Sequence, residues 1–533
     1  MTTDTLEHAA RFGSGRAVAR VEDEALLKGL GQYTDDVAPA AQLRLCFVRS
    51  PYAHARIVSV DTSAAAAMPG VVAVYSGVDL VAAGVKPMAL NANFKRAGGA
   101  PGASPERHVL AHEAARYVGE AVALVVAETA EQARNAAEAV LVDYQDLPAV
   151  TDVERAVAAG APALCPQAPD NIAAEMQHGD PAATAAAFSQ AAHVARLRLV
   201  NQRLAALALE PRSVLAWIAE GGRLTVRMSS QMPSGVKSGL CAMLPGLAPE
   251  KVRVVVGDVG GGFGMKTGLY PEDAAVAWCA LQLQRPVKWI ADRSEEFLSA
   301  TPGRDLHSDA ELALAADGRI LGLRLRSLGN VGAYATGTGV AIQLMIGPWV
   351  QTSVYDIPAI DFHFRSVLTN TMPVGAYRGA GRPEAIYIIE RLLDEAARQT
   401  GIDRIELRRR NFIRPEQMPY RNPMAQVYDS GQFEKVMDAA LVQADWQGFE
   451  ARAQASRRAG LWRGLGIATF LEWTGGNVFQ ERVTVEIRAD GTIEVFSAVN
   501  GMGQGIATTL AQLVVDVFGV PLDQVKVVLG DTD

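Results

Sequence analysis

Two stretches of this chain are written to one plan. From Gln231 the sequence runs "QMPSGVKSGLCAMLPGLAPEKVRVVVGD", and from Gln504 it runs "QGIATTLAQLVVDVFGVPLDQVKVVLGD". The spans from Gln to Asp are equal, and Leu240 and Leu513, Gly246 and Gly519, Val252 and Val525, and Gly257 and Gly530 fall in register. Each stretch reads as a loop, a helix, a turn at glycine, an apolar strand and a closing Gly-Asp. A chain that repeats such a unit belongs to the α/β class, in the mixed α+β sense. The first Gly-Asp opens into "GGGFG", whereas the second gives "GDTD", where the sequence stops. A globular domain rarely stops on the lip of a functional loop, so the expectation is half of a larger unit.

The rest of the chain continues the mixture. Between residues 41 and 80, "LRLCFVRS", "ARIVSVD" and "VVAVYSG" alternate apolar and polar positions and read as short strands. Residues 117–150 read as a strand, an alanine-rich helix from Thr129 and another strand. These predict an α/β domain over residues 1–155, closed by an Ala/Pro-rich linker at 156–171. A mixed α/β region is expected over 170–450, its clearest helix at 383–401 between Pro383 and Gly401. "ASRRAGLWRG" (455–464) marks a second boundary, and the strands of "TVEIRADGTIEVFSAV" belong to a last region, 455–533.

A chain of 533 residues fits three or four domains at about 150 residues each. Its net charge of -8 gives no reason to expect nucleic acid or an anionic membrane as partner. "MTTDTLEHAARFGSG" lacks the basic and apolar segments of a Sec signal, and no apolar run reaches the ~18 residues of a membrane span. Cys46, Cys165, Cys241 and Cys279 stand apart, without the CxxC spacing of zinc or iron–sulfur sites. A reduced, cytoplasmic protein is the expectation.

The first Gly-Asp opens into a backbone bare enough to approach a ligand closely. In "VVVGDVGGGFGMKTG" (254–268) a run of N–H groups is free of side chains apart from one phenylalanine, and such runs nest anions. The stretch satisfies neither the GxxxxGK[ST] loop nor the GxGxxG dinucleotide fingerprint. Alone it reads equally well as a tight turn. Companions shift that balance. Gln231 stands in the polar loop "SSQMPSG", Arg378 in the glycine-rich "VGAYRGAGRPE" (374–384), and Gln504 in "NGMGQG" (500–505) at the start of a helix. Singly, Gln231 is an ordinary surface amide and Arg378 an ordinary ion-pair partner. Three glycine loops with Gln, Arg and Gln point to one large anionic cofactor wrapped by the chain.

Six segments in this order resemble the molybdopterin-binding large subunit of the xanthine oxidase family of molybdenum hydroxylases, in its aldehyde and carbon-monoxide dehydrogenase-like branch. They are "RVEDEALLKGLGQYTDD" (20–36), "FVRSPYAHARIVSVD" (47–61), "YVGEAVALVVAET" (117–129), "GGGFGMK" (260–266), "AYRGAGRPE" (376–384) and "GMGQG" (501–505). The resemblance implies an N-terminal α/β hammerhead domain followed by two molybdopterin-binding domains, the second incomplete. It places Phe263 close to molybdenum, with Gly261, Gly262 and Gly264 shaping the loop. Gln231 matches the glutamine that hydrogen-bonds an oxo ligand of the metal. Arg378 and Gly379 match the loop that passes the metal, and Gly503, Gln504 and Gly505 the loop that grips the pterin. No side chain ligates the metal directly, because the pterin holds it.

The implied reaction is hydroxylation of an electron-poor carbon with water as oxygen source, the electrons leaving towards iron–sulfur clusters and flavin. The cofactor form expected is molybdopterin cytosine dinucleotide, with 2Fe-2S and FAD on separate partner subunits. The family's general base is a glutamate near the end of a longer subunit, which places it beyond residue 533. No residue present matches it, and Glu210, Glu272 and Glu384 are expected to be structural. The expectation is either a truncated sequence or a large subunit split in two, the latter with a second large-subunit polypeptide as partner; the alternative reading is a non-catalytic cofactor-carrying pseudo-subunit. Gly379 stands where the carbon-monoxide branch carries cysteine, which argues against CO as substrate. Thr267 and Ala380 replace the Glu and Phe of xanthine-type members, so the pocket is expected to be roomier and less polar. Aldehydes and N-heteroaromatics both remain open, with a slight lean to the latter.

Overall fold

The computed structural model describes residues 17–90, 93–472 and 482–533; the amino-terminal stretch read above for a signal lies outside them. The strand Ala121–Ala127, "AVALVVA", is buried along its whole length. A continuous apolar run of this kind suits a strand covered on both faces. It lies between Leu43–Arg49 and Val71–Ser76, antiparallel to both. The sheet then continues past the region 1–155. Leu43–Arg49 runs parallel to Val287–Ile290, and beyond that strand come Ser213–Ala219, Arg223–Met228 and Val252–Val255, seven strands in all. The first region and the next therefore share one sheet and one core. The helix Pro271–Leu283 packs over Ser213–Ala219, its first ten residues buried.

A second sheet of five strands has the order Ile172–Gly179, Ile360–Leu368, Ile320–Gly332, Leu306–Leu314, His193–Asn201. Against it lies the helix Arg382–Thr400, which starts with Pro383 in its first turn and stops at Gly401 in the left-handed region, φ 73°. The stretch 156–171, expected as a linker, is half exposed and is pinned at a few buried residues. Leu164, Cys165 and Ala168 join the core beneath this sheet. Asn171 is fully buried, its amide donating to the carbonyls of Ala156 and Pro162 and accepting from the N–H of Leu164. Alanine and proline content signals a loop; it does not say whether the loop is tied down.

The internal repeat is structural. In the first copy an antiparallel pair, Ser213–Ala219 with Arg223–Met228, leads to the helix Pro233–Met243 and the strand Val252–Val255, parallel to Arg223–Met228. In the second, the antiparallel pair Thr484–Ile487 with Ile493–Ser497 leads to the helix Ile506–Phe518 and the strand Val525–Leu529, parallel to Ile493–Ser497. The two Gly-Asp ends meet. The N–H of Val256 donates to Gly530 O at 2.7 Å and that of Thr532 to Val254 O at 3.1 Å, while Arg253 pairs with Asp531. No helix among the described residues is long and apolar enough to cross a membrane.

Candidate active site

The crossing of the two copies brings the glycine loops together. The first follows Val252–Val255 and is tied down from below by Glu210. One carboxylate oxygen accepts from the N–H of Gly260 (2.8 Å), from Ser229 Oγ (2.7 Å) and from Lys266 Nζ (3.2 Å). Lys266 is buried, and its ammonium also donates to Glu210 O and Ser229 Oγ. Burial draws its pKa down, and the charge of Glu210 works against that loss. The lysine of "GGGFGMK" is thus a strut beneath the loop. Sequence reading assigned Glu210 a structural part but did not see this brace, whose members lie far apart in the chain.

Above the strut sits Gln231. Its Oε1 accepts from the N–H groups of Gly264 (2.8 Å) and Lys266 (3.2 Å), and its own N–H donates to Lys266 O. With Oε1 committed, the amide cannot be turned over, and its Nε2 group takes no partner among the described residues. A Cβ on Gly262 would lie 2.5 Å from that Oε1, so a side chain there would push Gln231 away. Gly264, at φ 92°, passes the backbone of Ala376 so closely that a Cβ would sit 2.9 Å from its carbonyl. Gly261 shares the left-handed region, as does Phe263 at φ 53°. The Phe263 ring is 43% exposed in a chain whose aromatic residues are mostly packed away.

The second loop grips the first. The N–H of Arg378 donates to Phe263 O at 2.9 Å, and the Arg378 guanidinium carbon lies 6.0 Å from the Phe263 ring centroid. Arg304 holds this loop from behind, donating to the carbonyls of Tyr377 and Arg378 and pairing with Glu384. Gly379 is pinned against Pro383, at the start of the helix Arg382–Thr400.

The third loop reaches the others through Asn500, whose Nδ2 donates to Ser230 O at 2.8 Å, one residue from Gln231. Gln504 spends its amide within this loop, Oε1 accepting from Met502 N–H and Nε2 donating to Asn500 O. Gly503 is held by Arg20, which donates to its carbonyl, and a Cβ there would meet nothing within 4 Å. Gly505 caps the helix Ile506–Phe518, so the first N–H groups of that helix, its positive end, face the loop. The residues assigned to the cofactor from sequence therefore lie on three adjoining glycine loops and, for Gln231, on the segment packed against the first of them. Among the described residues no three His, Cys, Asp or Glu side chains are grouped to hold a metal ion.

Models of known families match this chain in three places. An aldehyde oxidase and xanthine dehydrogenase a/b hammerhead domain matches residues 28–148, and molybdopterin cofactor-binding domains match 164–412 and 439–533. The nicotine 6-hydroxylase large subunit of Paenarthrobacter nicotinovorans is 36% identical over 97% of this chain and 64% of its own length. The carbon monoxide dehydrogenase large chain of Hydrogenophaga pseudoflava is 34% identical over 97% and 66%. The chain belongs to the xanthine oxidase family, as a molybdopterin-binding large subunit. Within that family, the crystal structure of quinoline 2-oxidoreductase from Pseudomonas putida 86 superposes with a TM-score of 0.89, at 34% identity, over 97% of this chain and 66% of that one. The chain thus spans about two thirds of the length of the family members it matches.

Proposed function

We propose that this chain is the catalytic polypeptide of a molybdenum hydroxylase that oxidises an N-heteroaromatic or aldehyde carbon with water as oxygen source. The observation that carries this reading is the amide of Gln231. The loop consumes its oxygen and leaves its Nε2 donor without a partner among the described residues, beside the glycine loop. A built donor beside bare glycine backbone and a helix N-terminus fits an anionic, oxygen-rich group. A molybdopterin, when bound, supplies oxygen transfer from water and takes up the two electrons released. Gln231 orients it, Phe263 walls the pocket, Arg378 sets a cation beside that ring, and Gly503 and Gly505 admit the pterin's approach.

Hydroxylation by water also needs a proton acceptor. Glu210 and Glu384, beside these loops, are held in ion pairs by Lys266 and Arg304. We assign the base to a large-subunit carboxylate outside these 533 residues. The internal repeat supports further large-subunit structure beside the second copy. In the first copy Ser213–Ala219 is flanked on its other side by Val287–Ile290, and Thr484–Ile487 in the second copy has no such neighbour among the described residues. Subunits carrying 2Fe-2S and FAD complete the reading, with the cytosine dinucleotide as cofactor form. The test is molybdenum and pterin content, with nucleotide release on mild hydrolysis, of protein from a host that makes the cofactor. Near-stoichiometric molybdenum with CMP is expected; protein free of both, from a host whose other molybdoenzymes are loaded, would overturn it.

A further inference from the structure

The segment "RVEDEALLKGLGQYTDD" (20–36) touches both copies of the repeat. Its first residues lie on the third glycine loop. Arg20 Nη1 donates to Gly503 O at 2.6 Å, and Asp23 pairs with the same guanidinium at 2.5 Å. Thr508, in the first turn of the helix Ile506–Phe518, accepts from the Val21 N–H at 2.9 Å and donates to a Glu22 carboxylate oxygen at 2.6 Å. Gly505 passes so close that a Cβ there would lie 3.2 Å from Arg20 Cδ.

Its last residues lie on the first copy, at the Gly-Asp that leads into the first loop. Asp258 accepts from the Gln32 N–H at 2.6 Å, and its own N–H donates to Gln32 O at 3.1 Å. Arg227 donates to the same carbonyl. Gly257 leaves room for it, since a Cβ would sit 2.2 Å from Gln32 O. Beyond that point Asp35 O accepts from Lys288 Nζ at 3.0 Å, which fixes the far end to the seven-stranded sheet. Between these anchorages the helix Asp23–Leu27 buries none of its residues, and Leu27 and Leu30 are exposed. Polar contacts hold the segment at both ends and its middle buries little, which suits a piece that opens locally while the rest stays folded.

We propose that residues 20–36 are a clasp across the cofactor site, with Arg20 and Glu22 positioning the third loop and Gln32 the stem of the first. A ligand that spans loops from two copies needs both at a fixed separation, and a loop already held there loses less freedom on binding. The clasp governs how long the cofactor stays. This rests on the molybdopterin reading, and the tie between the two copies can be measured without any cofactor.

Thr508→Val removes the hydroxyl at nearly constant shape and breaks both of its bonds, whereas Thr508→Ser keeps them. Protein from a host that makes the cofactor is desalted and its molybdenum followed with time. Thr508→Val is expected to lose molybdenum about tenfold faster than the parent, and Thr508→Ser at the parent's rate. Gly257→Ala wedges the other end off Gln32 and is expected to match Thr508→Val. In metal-free protein, the amides of residues 502–509 are expected to exchange hydrogen about tenfold faster in Thr508→Val, with those of Arg223–Met228 unchanged. Unchanged exchange at 502–509 overturns the clasp. Faster exchange with molybdenum retained as in the parent overturns its part in retention, and equal losses from Thr508→Ser and Thr508→Val overturn the role of the two bonds. A parent free of molybdenum removes the cofactor reading, and exchange still decides the clasp.

Discussion

Gln231 divides its amide between two tasks, and the division predicts two different failures. Its oxygen holds the N–H groups of Gly264 and Lys266; under the proposed function its nitrogen is the donor left for the cofactor. Gln231→Glu keeps the acceptor and loses the donor, so the denaturation midpoint is expected to stay near that of the parent while molybdenum content falls severalfold. Gln231→Ala loses both, and leaving two loop donors unmatched is expected to cost about 1–3 kcal/mol as well. A Gln231→Glu protein with full molybdenum would remove the donor role. Gly262→Ala reaches the same end by another route. Its Cβ would meet Gln231 Oε1 at 2.5 Å, so a displaced Gln231 and lost molybdenum are expected, checked by metal analysis against an unchanged far-UV spectrum.

The helix Pro271–Leu283 carries two adjacent carboxylates with opposite pH behaviour. Burial pushes Asp273 up to about 7, against hydrogen bonding from Tyr270 N–H and the charge of Arg212. Burial opposes ionisation of Glu272 too, but the guanidinium groups of Arg212 and Arg49 overcome it and hold the carboxylate at about 2. The signs follow from linkage. Asp273 contributes most below its ordinary value of 3.8, and that contribution is lost as pH rises towards 7, by at most about 1.4 kcal/mol per pH unit. Glu272 contributes fully above 4.5 and loses its contribution as pH falls towards 2. Asp273→Asn is therefore expected to raise stability at pH 8 and to flatten the change in denaturation midpoint between pH 4 and 7; an unchanged slope would show that Asp273 is ionised throughout. At this scale much was legible in the sequence. The short strands of the first region, the helix ending at Gly401 and both copies of the repeat announce themselves through periodicity and punctuation. The pairing of Leu43–Arg49 with Val287–Ile290 does not, because alternation identifies a strand and says nothing of a neighbour far along the chain.

Across the whole molecule, the repeat also says what its second copy lacks in isolation. Strand for strand, Ser213–Ala219 corresponds to Thr484–Ile487, yet among the described residues the first lies inside a seven-stranded sheet and the second on an edge. The edge is not defended. Val483, Val485 and Ile487 are all exposed, and the strand carries one charge, Glu486, with neither a proline nor a lysine to discourage pairing. Unpaired N–H and C=O groups flanked by apolar side chains are a template for another strand. The purified chain on its own is accordingly expected to self-associate through this edge. Ile487→Lys is expected to return it to monomer in sedimentation velocity at a cost within about 0.5 kcal/mol, since the residue is 67% exposed and buries little. In a complex that supplies the missing neighbour, alternate amides of Thr484–Ile487 should become slow in hydrogen exchange, as an antiparallel partner requires. Self-association that persists undiminished in Ile487→Lys would locate the contact elsewhere, and amides that stay fast in the complex would break the correspondence between the two copies at this strand.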